Sequence, residues 1–423
     1  MKKRREETVA HLLKNSEPSA DPTPRVQLQH DEWLQRACGP QLTTLRPSHE
    51  LLHDKSEKAS RLSMQAELIC SYNCDDEKKT LYVPGAPPRW IDPKLPVNLP
   101  SRRMDFKSHS RKITTWTHIW RAFEALQITR PTYDFAKIDV VCEYTSLAKL
   151  LELVAARRSD ATHKKYESLR LDMRVVDNTL FLHAYDPSQI AQRQRYDHED
   201  FKQVGIKVDH PQLEGTNHYR WHEYNIGLTR FLVLVEVDAY METASKETYA
   251  KKTTKQTKSK HGTFDSQLNV LEIGQPSPDF YKLLMLQVVV SARGTDGRLP
   301  LTFFSRIKQI SDGYLTTKNG HAQIRRIKNR DMVRALHTWS IKDSLPVLGE
   351  LLHQLRQVTL DSNSKACIAI GRLEDDKPRV DVYEPEFDQK VLAAREVPGH
   401  YRFPPQFLPA NVVKRFWRWK NKT

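Results

Sequence analysis

The run RFLVLVEVDAYM at residues 230–241 is apolar at almost every position, and its interior carries only two acids, Glu236 and Asp238. Successive side chains of a strand point to opposite faces. The two acids therefore project from one side, while Phe231, Val233, Val235, Val237 and Ala239 line the other. Comparable runs predict strands at 68–73, 219–225 and 268–273, the second leading through Gly227 into the 230–241 strand. The pair Asp177-Asn178 between apolar runs at 169–176 and 179–184 predicts a hairpin, and Lys318-Asn319-Gly320 predicts another between 308–316 and 321–327. Strands are also expected at 366–370 and 379–383.

Three helices interrupt this strand-rich pattern. Thr145-Ser146 is expected to cap the first, in which Leu147, Leu150, Leu151 and Val154 recur at helical spacing. Ser277-Pro278 is expected to open the second, ahead of Phe280, Leu283, Leu284 and Val288. Ser344-Leu345-Pro346 opens the third, with Leu345, Leu348, Leu352 and Leu355 on one face. The sum predicts an α+β or mixed α/β fold of mixed β-sheets flanked by helices, without internal repeats.

Between these elements the composition changes. Residues 1–25 are polar and hold Pro18, Pro22 and Pro24, which predicts a disordered basic tail. Residues 26–400 are expected to form a single domain, with a mobile lysine-rich insertion at 244–263. A proline-rich arm at 82–100 is expected to wrap the core. Residues 401–423 are a basic-aromatic segment whose RFWRWK run either docks a terminal helix or stacks single-stranded bases.

The chain has 423 residues, 39% of them hydrophobic, enough for a sizeable core. Its formal net charge of +15 favours polyanionic partners such as RNA. Five cysteines are few and odd in number, and neither an apolar leader nor a membrane-length run is present. These features predict an intracellular protein of the nucleus or cytoplasm, without membrane association.

The chemistry centres on Glu236 and Asp238. Buried carboxylates need a cation beside them, either a Lys or Arg in an ion pair or a hard divalent metal. From the stretch alone the ion pair is the better reading. A strand with Glu236-x-Asp238, an insertion, and a strand with Glu272 is also the layout of many metal-dependent nucleases. Those enzymes place a lysine two residues after the last acid, where this chain has Gly274. Lys282, expected on the following helix, is the candidate replacement. His218 and His222 would share a helix face and suit zinc, but their surroundings read as strand. Cys70-x-x-x-Cys74 lacks a second ligand pair, and no phosphate-binding glycine loop or dinucleotide fingerprint occurs.

LYVPGAPPRW at 81–90, residues 135–154, the Asp177-Asn178 hairpin, the strand pair and FFSRIKQISDGYLTTKNG at 303–320 resemble a family of fungal proteins related to the decapping exoribonucleases. The likeness covers roughly residues 68–384. It implies a decapping-nuclease-like fold in which a Glu-x-Asp strand, a Glu-hydrophobic-Lys strand and an upstream Glu bind Mg²⁺ or Mn²⁺. Such enzymes remove incomplete or aberrant caps and degrade RNA from its 5′ end. Glu236 and Asp238 match the first motif, and Glu272-Ile273 matches the second apart from its lysine. The upstream acid falls on Glu199, in YDHE. The resemblance thus implies Glu236, Asp238 and Glu272 as catalytic residues, Glu199 as a further metal ligand, and Arg306 and Lys282 as contacts to nucleic acid. With Gly274 at the lysine position, the expectation is a divergent protein that binds RNA 5′ ends, in which metal-dependent phosphodiester or cap hydrolysis is in question. The alternative is a catalytically inactive relative that binds RNA or a protein partner. Some members of the family are labelled geranylgeranyl pyrophosphate synthases. That activity needs two DDxxD motifs on facing helices, whereas Asp75-Asp76 is the one adjacent pair and Lys79 ends its motif.

Overall fold

The computed structural model describes residues 34–48, 66–100, 115–155, 168–185, 198–241, 257–258, 264, 268–273, 282–289, 298–318, 321–339, 343–375, 377–386 and 408–417. In chain order the first elements are β1 (Cys38–Leu45), β2 (Glu67–Asp75), β3 (Thr80–Val83), β4 (Arg89–Trp90), β5 (Val97–Asn98), α1 (Thr115–Thr129), β6 (Val140–Glu143) and α2 (Tyr144–Ala155). The hairpin β7 (Leu169–Val176) and β8 (Thr179–Tyr185) follows, then a helix α3 at 198–205. Next come β9 (Ile206–Lys207), β10 (Asn217–Ile226), β11 (Thr229–Val237), β12 (Ala239–Met241), β13 (Thr257–Lys258), β14 (Asn269–Glu272) and β15 (Lys282–Val289). The remainder is α4 (Leu299–Ser305), β16 (Gln309–Lys318), β17 (His321–Asp331), α5 (Val333–His337), α6 (Leu345–Asp361), β18 (Ala366–Glu374), β19 (Lys377–Pro385) and α7 (Ala410–Phe416).

These strands form two mixed sheets flanked by helices. The larger runs β1-β19-β18-β7-β8-β6-β11-β10-β2-β3-β14-β13, and the smaller β5-β17-β16-β15-β12-β4-β9. The apolar run at 230–241 belongs to both. β11 lies in the larger sheet between β6 and β10, and after the single residue Asp238 the chain enters the smaller sheet as β12, beside β15 and β4. β11 reads as a nearly continuous hydrophobic run because both its faces are covered. Phe231, Val233, Val235 and Val237 pack with the leucines of α2 and α6, whereas Leu232 and Leu234 pack with Trp221, Phe123 and Phe416. Each such side chain contributes about 1.5–3 kcal/mol relative to exposure.

Most expected elements form at or near their positions. The β7–β8 turn uses Asp177 at φ 54°, the left-handed geometry that an Asx residue tolerates. Ser146 is no cap: it lies inside α2, and its hydroxyl accepts the Ala184 N–H at 3.0 Å. The proline-rich arm supplies β4 and β5, two short strands of the smaller sheet. At the C-terminus α7 docks. Phe416 and Trp417 are buried against Phe123 and Phe135, and the Trp417 indole donates to the Thr179 hydroxyl at 3.1 Å.

One element differs in kind. The stretch expected as a helix from 277 to 288 contributes β15 instead, antiparallel to β12 and parallel to β16. Its alternate residues bury on opposite faces, with Leu284 and Leu286 in the core of the smaller sheet and Met285 in the core shared with α2 and α6. A site with open strand partners on both sides overrides the helical spacing of the leucines. The tail at 1–25, residues 274–281 and the lysine-rich insertion apart from β13 lie outside the described residues, as do 401–407 and 418–423. Among the described residues no helix is long and apolar enough to cross a membrane.

Candidate functional site

At the point where the chain changes sheets, Glu236 and Asp238 meet helix α3. His198, Glu199 and Lys202 fall three or four residues apart, so they share one side of the helix. His198 Nε2 donates to Asp238 Oδ1 at 3.0 Å. The Lys202 ammonium stands 3.5 Å from Glu236 Oε1 and 3.9 Å from Asp238 Oδ1, and donates to Asn217 Oδ1 at 3.2 Å. The second Asp238 oxygen, Oδ2, accepts the Leu286 N–H of β15 at 2.8 Å. Asp238 and Lys202 are buried.

Charge is distributed accordingly. Burial opposes ionisation of Asp238, but His198, Lys202 and the Leu286 amide outweigh it and hold the carboxyl below the usual aspartate range. Burial likewise opposes the charged form of Lys202, and Glu236, Asp238 and Glu199 together overcome it, so the ammonium is held above the usual lysine range. His198 is raised in the same way, with Asp238 overcoming burial. Glu199 goes the other way for a carboxylate. Burial, aided by Glu236 and Asp238, raises it despite Lys202 and His198. The cluster sets His198 and Lys202 against three acids, of which Asp238 is buried and Glu236 has a side chain 36% exposed.

Of the residues expected from the sequence, Glu199, Glu236 and Asp238 are brought together. Glu272 is not. Its strand β14 pairs with β3 and β13, and β10, β2 and β3 separate it from β11. Four strand spacings amount to roughly 19 Å along the sheet. Strands 230–241 and 268–273 are not neighbours, because β14 runs parallel to β3 instead of turning back on β12. Gly274 lies outside the described residues. Arg306, at the C-terminal end of α4, lays its guanidinium 4.2 Å from the centre of the Tyr224 ring and 4.9 Å from that of Phe303. Tyr224 pairs with Phe231 and Tyr219 with Glu236, five positions apart on β10, so Arg306 lies across the sheet from Glu236. Lys282 begins β15 opposite Met241 and lies five positions along that strand from Gln287.

Sequence reasoning missed His198 and Lys202 at the acids, and Gln287 on the neighbouring strand. β15 pairs Leu284 with Ala239 and its Leu286 N–H reaches Asp238 Oδ2, so Gln287 is the next residue along the strand. On its other side Gln287 pairs with Asp312 of β16, whose carboxylate receives Arg298 Nη1 and Arg330 Nε, each at 2.7 Å. The signal was present: Gln287 is the one polar residue in LLMLQVVV, as Glu236 is in FLVLVEV. Its neutral side chain gave no chemical reason to single it out.

The donor set does not suit a divalent ion as it stands. Both Asp238 oxygens are engaged, a lysine ammonium lies between the two acids, and β15 brings an amide where a third carboxylate would be useful. Among the described residues no group of three or more His, Cys, Asp or Glu side chains is arranged to hold a metal ion. His218 and His222 are buried on β10, and His218 Nδ1 is hydrogen-bonded to Asn73 Oδ1 at 2.8 Å.

The fold is shared with solved structures. S. pombe Rai1 superposes with a TM-score of 0.54 at 11% identity, covering 81% of this chain and 99% of Rai1. S. pombe Rai1 in complex with 3′-FADP gives 0.52 at 11% identity, covering 81% and 100%. K. lactis Dxo1 in complex with manganese gives 0.49 at 9% identity, covering 82% and 99%. No curated protein sequence matches the chain. Residues 50–397 match the family described as "Domain of unknown function (DUF8563)", and the chain belongs to that family.

Proposed function

We propose that this protein is a decapping-nuclease-like RNA-binding protein that holds RNA 5′ ends without hydrolysing them efficiently. The observation that carries the reading is the strand beside the Glu-x-Asp acids. In the enzymes this chain resembles, a Glu-hydrophobic-Lys strand serves there; here the matching Glu272-Ile273 is followed by Gly274 and its strand β14 stands four strands from β11, while the strand beside β12 is β15, which holds no acid. A strand without an acid supplies no third carboxylate ligand, and a glycine at the lysine position supplies no charge for the scissile phosphate.

Binding is supported by charge and surface. The net charge of +15 attracts polyanions, and Arg325, Arg326 and Lys328 are exposed on β17 of the smaller sheet. The Arg326 guanidinium lies 3.9 Å from the centre of the Tyr314 ring, a cation beside an aromatic of the kind that nucleic-acid surfaces use. S. pombe Rai1, with the same fold, has been crystallised with the nucleotide ligand 3′-FADP.

Fluorescence anisotropy with a 5′-monophosphate RNA tests the reading. Binding is expected at low salt, falling by about tenfold or more between 50 and 200 mM, because phosphate contacts release counterions. Single-turnover assays of the same RNA with Mn²⁺ are expected to show little cleavage. Absence of binding at low salt would overturn the RNA assignment, and rapid Mn²⁺-dependent cleavage would overturn the claim of impaired hydrolysis.

A further inference from the structure

We infer that Lys202 is the resident cation of the acid site: its ammonium takes the place between Glu236 and Asp238 that a divalent ion would need, and the native protein therefore does not bind Mg²⁺ or Mn²⁺ there. The inference stands apart from RNA binding, which uses other surfaces and is read by a different experiment.

The lysine is built in. Its side chain is only 5% exposed, and its nitrogen has oxygens of Glu236, Asp238 and Asn217 around it, so the three N–H donors of the ammonium face three acceptors. Helix α3, which carries it, is seated on both sides. Phe201 is fully buried with its ring against Gly313 of β16, where a Cβ would come within 2.7 Å of the ring. Gly205 at the end of the helix packs directly on the Trp90 ring, and Trp90 and Phe201 meet edge to face at 5.6 Å.

The electrostatics point the same way. The Lys202 ammonium lies 3.5 Å from Glu236 and 3.9 Å from Asp238, and His198 Nε2 engages Asp238 at 3.0 Å. A divalent ion would have to displace the Lys202 ammonium from the Glu236 and Asp238 oxygens that it already faces. The next acid in the row, Asp312, is already paired with Arg298 and Arg330. The negative charges that line this part of the site are thus countered by the chain's own side chains.

Titration with Mn²⁺, read by the electron paramagnetic resonance signal of the free ion, tests the inference on the full-length wild-type protein. No site with a dissociation constant below about 1 mM is expected to depend on Glu236. The variant Lys202→Met combined with Asn217→Asp removes the ammonium and puts a carboxylate where the Asn217 oxygen now accepts from it. It is expected to bind one Mn²⁺ with affinity at least about tenfold tighter than wild type. Its melting temperature should rise with Mn²⁺, while that of the wild type should not. Submillimolar Mn²⁺ binding by the wild type that Glu236→Gln abolishes would overturn the proposal, whatever the variant does. A folded double variant that gains no Mn²⁺ affinity would also overturn it, whereas a double variant that folds only when Mn²⁺ is added would support it.

Discussion

Glu236 and Asp238 stand out in the sequence because an ionised group inside an apolar run demands a partner. That demand is legible from composition alone; the partner is not. Lys202 lies more than thirty positions upstream, in a stretch whose polar character gives no hint that it folds onto β11. The same asymmetry holds at Asp381, a fully buried acid of β19. Burial would raise its pKa, but Thr44 Oγ1 at 2.7 Å, Arg379 Nε at 2.8 Å and Arg372 hold it below the usual aspartate range. A depressed folded value means that the stabilisation is present above the unfolded pKa near 3.9 and is lost as the pH falls through the folded value. Asp381→Asn should therefore cost about 1.5–3 kcal/mol at pH 7. In urea melts the difference from wild type should shrink below pH 4; a gap that stays constant into acid would refute the assignment.

Among the elements, β15 shows how neighbours decide conformation. Leu283, Leu284 and Val288 are spaced for a helix, but the stretch also carries the β-branched run at 288–290, and it lies between β12 and β16 with hydrogen-bonding partners on both sides. Strand pairing won because it satisfies backbone groups that a helix in that gap would leave to neither sheet. Helix α3 depends on close packing instead. Gly313→Ala would push a Cβ into the Phe201 ring and is expected to cost about 1–3 kcal/mol. Gly349, inside α6, has nothing within 4 Å of where its Cβ would stand. Gly349→Ala should instead stabilise by about 0.5–1 kcal/mol, through the helix propensity of alanine. Thermal melts of the two variants should move in opposite directions, and a Gly313→Ala protein as stable as wild type would contradict the packing described for α3.

For the molecule as a whole, charge and topology carry the functional reading. Reversing two exposed cations of β17, in Arg325→Glu with Lys328→Glu, should weaken RNA binding by about tenfold or more and flatten its salt dependence. The same two changes should leave the melting temperature almost unmoved, because exposed charges contribute little to stability. Unchanged RNA affinity would place the binding surface elsewhere.

The sequence by itself determined the class of the fold, most strand positions, two hairpins, and the conflict posed by two acids in an apolar strand. Those features are local: alternation, turn chemistry and the cost of burying charge act within about ten residues of chain. Only the tertiary structure decided which strand lies beside Glu236. Strand order and register join distant segments, and they brought the Leu286 amide of β15 to Asp238 and left Glu272 four strands from β11, although Glu272 carries the expected charge. The cation was decided in the same way, because α3 reaches β11 only once Phe201 and Gly205 have found their seats against Gly313 and Trp90.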